Sequence, residues 1–183
     1  MSSACSTRLA AASLRRAACR VRPAAPERPP PRREGAMAPS IERARERDTD
    51  ALLDFLRASE LPTAGLVDHL RTTIVAREGT KIVGSAALEV YPDGALLRSV
   101  AVASEMQGRG LGSDLTRTAI RMAHDLHAPA IYLLTTTAGR YFPKFGFERI
   151  PRAGVPAGVQ RSVEFASACP SSATVMRKPL EAA

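Results

Sequence analysis

From Ile41 to Leu180 the apolar residues recur with two different spacings, and the change from one to the other marks out the elements. IERARER (41–47) alternates like an edge strand, and Asp48 then stands as the cap of a helix running to about Glu60, with Leu52, Leu53, Phe55 and Leu56 on its apolar side. LPTAG (61–65) breaks that helix, and a second helix is expected to about Leu70. TTIVARE (72–78), KIVGSAALEVY (81–91) and ALLRSVAVA (95–103) read as three strands. Gly79-Thr80 and Pro92-Asp93-Gly94 are the tight turns between them, which makes an antiparallel meander. A two-residue loop at Asp93-Gly94, or a four-residue loop at 92–95, pairs Tyr91 with Leu96 and Glu89 with Arg98. Residues 110–127 then carry Leu111, Leu115, Ile120, Met122 and Ala123 on one helical side. AIYLLTTT (130–137) is a continuous apolar strand of the buried type, AGRYFPKFG (138–146) a short helix ended by Gly146, and FERI (147–150) a strand. Pro156 opens a further helix to about Ala168, and SATVMRKPL (172–180) is the last strand.

The strand–helix–strand succession from Leu96 to Thr136 requires one parallel pair. The expected fold class is therefore α/β, a mixed, mostly antiparallel central sheet with one parallel strand pair and flanking helices. A chain of 183 residues suits one such domain, and no internal repeat divides it.

Charge changes this picture less than its total suggests. Of the formal +8, +6 falls in residues 1–36, where eight arginines face two glutamates, so residues 37–183 carry only +2. That near-neutral body argues against a nucleic-acid partner. The first 36 residues are rich in Arg, Ala and Pro and cannot bury a core, so they are read as a disordered extension preceding a single domain over 37–183. Arginines interrupt every apolar run there, which excludes a secretory core. The Arg/Ser-rich, acid-poor start has the look of a transit peptide, but Met37 and the first strand follow at once, which favours an upstream in-frame extension or an incorrectly chosen start. No apolar stretch approaches the length that crosses a membrane. Cys5 and Cys19 lie in the extension and Cys169 stands alone, so neither a disulfide framework nor a zinc spacing is present, and a reducing, cytoplasmic setting is expected. His69, His124 and His127 read as surface histidines, and no metal is expected.

The candidate chemistry begins at SEMQGRGLGSDL (104–115), where Gly108, Gly110 and Gly112 precede a helix. A helix start presents unpaired N–H groups and the positive end of the macrodipole, and glycines let an anion approach the backbone. A nucleotide P-loop needs a Gly-Lys pair, and the chain has none. A dinucleotide-binding turn needs a third glycine where Ser113 stands, and no acidic residue ends a following strand at the right distance. What remains is Gln107-Gly108-Arg109-Gly110-Leu111-Gly112, a Gln/Arg-x-x-Gly-x-Gly/Ala pattern directly after LLRSVAVA, or an ordinary glycine-rich turn.

This order of elements, with Gln107–Gly112 between the fourth strand and the third helix, resembles the GCN5-related N-acetyltransferase (GNAT) family over about residues 40–180. RYFPKFGFERI is similar to that family's short helix ending in Gly-Phe, here Gly146-Phe147. LPTAGLVDHL, LEVYPDGALLRSVAVA, IYLLTTTA and EFASACPSSATVMRKPL resemble the bacterial arsenic-resistance N-acetyltransferases. The resemblance implies an acyl-CoA N-acyltransferase fold with splayed fourth and fifth strands. It implies acetyl-CoA as co-substrate, with pantetheine along Val100, Ala101 and Val102, and pyrophosphate wrapped by Gln107, Gly108, Arg109, Gly110, Leu111, Gly112 and Ser113. The Val100 N–H would be the oxyanion donor.

Departures from the family pattern matter as much. The tyrosine that protonates the departing thiolate in many members is replaced by Phe142, which cannot donate a proton. Tyr141 is adjacent but points about 100° away on a helix, so packing or CoA contact is favoured over an acid role, and it stands as the remaining acid candidate. Thr135 replaces a frequent asparagine, and Arg98 stands where many members carry a carboxylate. The cross-strand pair assigns Arg98 to an acidic group of the acceptor and Glu89 to the amine proton, through water, with a plain structural ion pair as the rival. The resulting expectation is an acetyl-CoA-dependent N-acetyltransferase acting on a small, amino-acid-like amine, an arsenical or phosphinic analogue included, as a monomer or homodimer. A non-catalytic acyl-CoA-binding domain, favoured by Phe142, and a protein N-acetyltransferase are the alternatives.

Overall fold

Two-residue turns and one long helix set the sheet. The computed structural model describes residues 38–168 and 170–180, so the amino-terminal extension and Cys169 lie outside the described residues. The strands are β1 (Ser40–Arg43), β2 (Thr73–Glu78), β3 (Lys81–Tyr91), β4 (Gly94–Val102), β5 (Ala130–Thr135), β6 (Glu148–Arg149) and β7 (Thr174–Pro179). Their order across the sheet is β1-β2-β3-β4-β5-β7-β6. Among the described strands only β4 and β5 are parallel, with the helix α2 (Leu111–Asp125) as the crossover between them. The mixed, mostly antiparallel sheet with one parallel pair is the architecture the sequence implied.

Each face of the sheet has its own core. On one side, Leu88 and Leu97 pack against Leu111, Leu115, Ala119 and Met122 of α2. On the other, Val75, Ala87 and Ala101 meet Leu52 and Leu56 of α1 (Thr49–Ala58), while Leu96 and Tyr132 meet Val155, Val159 and Phe165. The last group comes from the connection between β6 and β7, which contains the short helix α3 (Ala157–Gln160) and a π-helical turn at Glu164–Ala168.

Several details differ from the sequence reading. The first strand ends at Arg43, because Ala44 and Asp48 turn inward. Asp48 does precede α1, but its carboxylate accepts from the Arg45 N–H at 2.8 Å and pairs with Arg77 at 2.7 Å instead of capping the helix. The second helix is a 3-10 segment, Val67–Thr72, interrupted at His69. The helix expected from Pro156 to Ala168 is reduced to α3 and the π turn. The hairpin between β3 and β4 turns at Pro92-Asp93, so Tyr91 pairs with Gly94, Glu89 with Leu96 and Ala87 with Arg98. That register is shifted by two residues from the expected one. An even shift keeps side chains on their face, so Glu89 and Arg98 remain neighbours, diagonal instead of directly opposite.

Leu115 is fully buried where α2 crosses β3, its Cδ1 beside Gly84. Leu115→Ala is expected to lower the unfolding free energy by about 2–5 kcal/mol, measured by urea denaturation.

Candidate functional site

Strand β4 loses its regularity halfway along. Its pairing with β5 is confined to Ala95–Ile131 and Leu96–Tyr132. On the β3 side, Ala87 pairs with Arg98 and Ser85 with Ala101, so Ser99 and Val100 together oppose Ala86 alone. This is a β-bulge, with Ser99 in the left-handed region at φ 54° and its carbonyl held by the Ser85 hydroxyl at 2.8 Å. The extra residue changes which side chains face where. Leu97 points to α2; without the bulge Ser99 and Ala101 would follow it. Instead Val100 and Val102 join the α2 side, and Ala101 goes to the α1 side.

The splay opens a cleft of about 740 Å³ between β4 and the segment after β5. Val100, Ala101 and Val102 form one wall, Thr137, Ala138, Tyr141 and Phe142 the other, and Gln107, Gly108, Gly110, Leu111, Gly112 and Ser113 the end. The residues assigned to the cofactor from sequence thus line one cleft, except Arg109, whose guanidinium lies against Met106 Sδ at 3.8 Å outside the lining. Gly108 and Gly110 have φ values of 73° and 91°, and nothing stands within 4 Å of where a Cβ would sit. In the free protein their glycine requirement is therefore conformational. Gly112 is different: a Cβ there would lie 3.1 Å from the Tyr141 hydroxyl. Gln107 fixes the turn through a bond to the Val102 carbonyl at 3.0 Å.

Lys144 completes this end of the cleft and was not singled out from sequence. Its ammonium lies 4.0 Å from the Tyr141 ring centroid and donates to the Ser113 hydroxyl at 3.2 Å, beside the first turn of α2. A cation and a helix start thus face the same space, which favours an anion. Tyr141, not Phe142, brings a hydroxyl to the lining, 3.4 Å from Thr116 Oγ1. Phe142 packs edge-on against Tyr141 and Phe147. Thr135 is occupied locally, accepting from the Ala138 N–H at 2.9 Å.

Behind the bulge lies a buried ionic network. Arg98, with no exposed side-chain surface, contacts Glu89 Oε1 through Nη1 at 2.5 Å and Glu164 Oε2 through Nε at 2.6 Å. Its Nη2 donates to the Pro62 carbonyl at 3.2 Å. The second Glu89 oxygen accepts from the Tyr91 hydroxyl at 2.6 Å and lies 3.8 Å from His69 Nε2. Burial pushes the Glu89 carboxyl up, but hydrogen bonds from Ser162, Tyr91 and Arg98, with the Arg98 charge, outweigh it and hold it below its ordinary value. Burial and the same carboxylate push the Tyr91 phenol up to about 12. The expected neighbourhood of Glu89 and Arg98 is real, yet the guanidinium is turned inward and spent on protein groups, so it does not offer itself to an acceptor's anion. His69, Ser162 and Glu164 were not foreseen, since they reach the network from distant segments. Among the described residues, no group of three or more His, Cys, Asp or Glu is arranged to hold a metal, and no helix is long and apolar enough to cross a membrane.

Residues 69–149 match the family model described as acetyltransferase (GNAT) domain. An uncharacterized N-acetyltransferase of Chlorobaculum tepidum, CT2212, is 26% identical over 97 residues, covering 52% of this chain and 62% of that protein. Rv2747 of Mycobacterium tuberculosis, solved in complex with CoA and NLQ, superimposes with a TM-score of 0.66 at 25% identity, over 78% of this chain and 100% of that one. N-acetylglutamate synthase of Neisseria gonorrhoeae, solved with coenzyme A and L-arginine, gives 0.66 at 19% identity, over 79% of this chain and 34% of that one, a likeness of fold. This chain thus spans under two thirds of the curated relative and about a third of the synthase. Its fold is the GNAT acyl-CoA N-acyltransferase fold, and residues 69–149 are similar to a GNAT acetyltransferase domain.

Because the folded Glu89 carboxyl lies below its unfolded value, its contribution to stability is present above about pH 4.5 and is lost as pH falls through the depressed value. Glu89→Gln should therefore lower the unfolding free energy by about 1–3 kcal/mol at neutral pH, and the gap from the unsubstituted protein should narrow below pH 4. Urea titrations at both pH values measure this.

Proposed function

We propose that this GNAT-fold chain transfers the acetyl group of acetyl-CoA to a small primary amine. The observation that carries the reading is the cleft itself, which joins an interrupted strand edge at Val100–Val102 to a glycine turn and cation at the start of α2. CoA is present in two of the neighbouring structures of the same fold, which supports the assignment. The pantetheine arm would follow Val100–Val102, and the pyrophosphate would meet the Gly108–Ser113 backbone and Lys144.

The reaction is attack of a neutral amine on a thioester. The ammonium first loses a proton, for which we assign Glu89, acting through water, with Arg98 holding it in place. A depressed carboxyl is a weak base but a steady anion for orienting that water. The amine nitrogen then bonds to the carbonyl carbon, and the Val100 N–H, at the bulge, stabilises the oxyanion. The nitrogen gives its surplus proton to water, and collapse breaks the carbon–sulfur bond and releases the amide and the CoA thiolate. Tyr141 is the hydroxyl available in the cleft to protonate that sulfur, in place of Phe142. The thiolate's own pKa, about 8–9, makes this help modest.

The narrower acceptor reading, an amino-acid-like molecule such as an arsenical or phosphinic analogue, rests on the resemblance of four segments to the arsenic-resistance group. The residue it relied on for an acidic group, Arg98, is committed to Glu89, Glu164 and Pro62. Residues 37–183 are proposed to suffice for the activity.

Release of free thiol from acetyl-CoA over a panel of amines tests transfer; tight acetyl-CoA binding with no thiol release from any amine would leave a non-catalytic binding domain. Lys144→Ala is expected to weaken CoA binding roughly 10- to 100-fold, with a reduced salt dependence, by calorimetry. Tyr141→Phe should lower kcat by no more than about tenfold, since the leaving thiolate is tolerable unprotonated. A chain beginning at Met37 should keep the full-length melting temperature and acetyl-CoA affinity.

A further inference from the structure

Glu89 presents its two carboxylate oxygens to different surroundings. Oε1 is held by the Arg98 guanidinium, while Oε2 faces Tyr91 and His69. Glu89, Arg98, Ser162 and Glu164 are all buried, so in this network, among the described residues, Tyr91 and His69 are the members that reach water. The Tyr91 phenol, pushed up to about 12, keeps its proton and donates it to Oε2 at 2.6 Å. It serves that oxygen as a hydrogen-bond donor and not as a base. His69 is the other group at Oε2, with Nε2 3.8 Å away and a side chain 27% exposed.

The backbone of His69 is fixed while its ring stands partly in water. The 3-10 segment Val67–Thr72 leaves helical geometry at His69, with φ −112° and ψ 20°. The His69 N–H donates to the Leu66 carbonyl at 3.0 Å, and its own carbonyl accepts from the buried Thr73 hydroxyl at 2.9 Å. The ring lies 6.4 Å from the Tyr91 ring centroid, tilted against it, and faces Glu89. A small turn about the side chain's own bonds closes 3.8 Å to hydrogen-bond distance.

The proton balance of the reaction gives this contact a use. A primary ammonium holds its proton with a pKa of about 10.4, against about 4.3 for an ordinary glutamate carboxyl and about 6.5 for a free imidazole. Leaving the proton on Glu89, which is held below its ordinary value, is uphill by about six powers of ten or more, and passing it to an imidazole by about four. The second end state is also an ion pair, an imidazolium beside a carboxylate, which favours it further.

Resting on the acetyl-transfer reading above, we propose that His69 is the terminal acceptor of the amine's proton, reached through Glu89 Oε2. The ammonium N–H bond breaks with its electron pair left on nitrogen. The proton passes through one water to Glu89 Oε2 and on to the lone pair of His69 Nε2, which restores the carboxylate and leaves an imidazolium whose other proton is on Nδ1. The partly exposed ring then returns the Nε2 proton to solvent before the next turnover. His69 acts through Glu89 and touches no substrate atom; Arg98 holds Oε1 and Tyr91 orients Oε2.

The test uses the full chain, acetyl-CoA and three amines, glutamate, lysine and 2-phenylethylamine. It measures the amide formed, because added imidazole can itself release thiol. With the amine that turns over fastest, His69→Ala should lower kcat about 100-fold, while KM and the calorimetric affinity for acetyl-CoA stay within about twofold. Imidazole added to that variant enters the vacated space and should raise its kcat about tenfold or more, saturably, without raising kcat of the unsubstituted protein. His69→Gln keeps a polar side chain but no basic nitrogen, so it should be as slow as His69→Ala, and it carries the test where His69→Ala does not fold. In Glu89→Gln the relay is cut ahead of the imidazole, so adding His69→Gln should cost nothing further. Wild-type kcat in His69→Gln, a His69→Ala variant indifferent to imidazole, or additive losses in the double variant would overturn the relay while leaving acetyl transfer standing. No amide from any of the three amines with the unsubstituted protein would refute transfer to these amines and the relay with it.

Discussion

Strand β4 loses one of its two partners in mid-course, and two cavities lie along the stretch beyond that point. Up to Leu96 it is held on both sides, by β3 and by β5; beyond that point the β5 pairing stops while the β3 ladder continues past a bulge. Backbone N–H and C=O groups inside a sheet must be paired or met by something else. An interrupted edge flanked by two cavities is a place where a ligand can supply those partners. The left-handed Ser99 is the local cost, of about 1–3 kcal/mol for such a conformation, and the surrounding ladder and the Ser85 hydroxyl sustain it.

Arg98 adjoins that bulge and joins four parts of the chain: β4 itself, Glu89 on β3, the Pro62 carbonyl in the loop after α1, and Glu164 in the connection to β7. A buried ion pair is a poor source of net stability, because desolvation consumes much of the attraction. Its value here is geometric. Each contact fixes one neighbouring segment relative to the bulge, and the Glu89 carboxyl is held below its ordinary value.

The glycine turn has two separable reasons for its composition. Gly108 and Gly110 adopt positive φ with open space above them, which lets the backbone present its N–H groups outward. Gly112 stands under the Tyr141 hydroxyl, and a side chain there would push the aromatic wall away from α2. Lys144 reaches the same turn from the other wall, so the anion-favouring end is assembled from two segments some thirty residues apart in the chain.

Periodicity alone determined the meander, the long amphipathic α2 and the buried β5, because a two-residue alternation and a 3.6-residue stripe each have one way to bury their apolar side. The glycine motif and the Gly146 stop were legible for a similar reason: positive φ leaves few alternatives to glycine. The sequence also put Glu89 and Arg98 on one face, and the two-residue slip in register left that intact, since the face repeats every second residue. Tertiary structure alone decided the rest. Where β5 parts from β4 and where the extra residue at Ser99 is absorbed are set by how the elements pack, and Arg98 faces the protein because Pro62, Glu89 and Glu164 arrive from separate segments. Such contacts are fixed by packing between elements, and no local period along the chain records them.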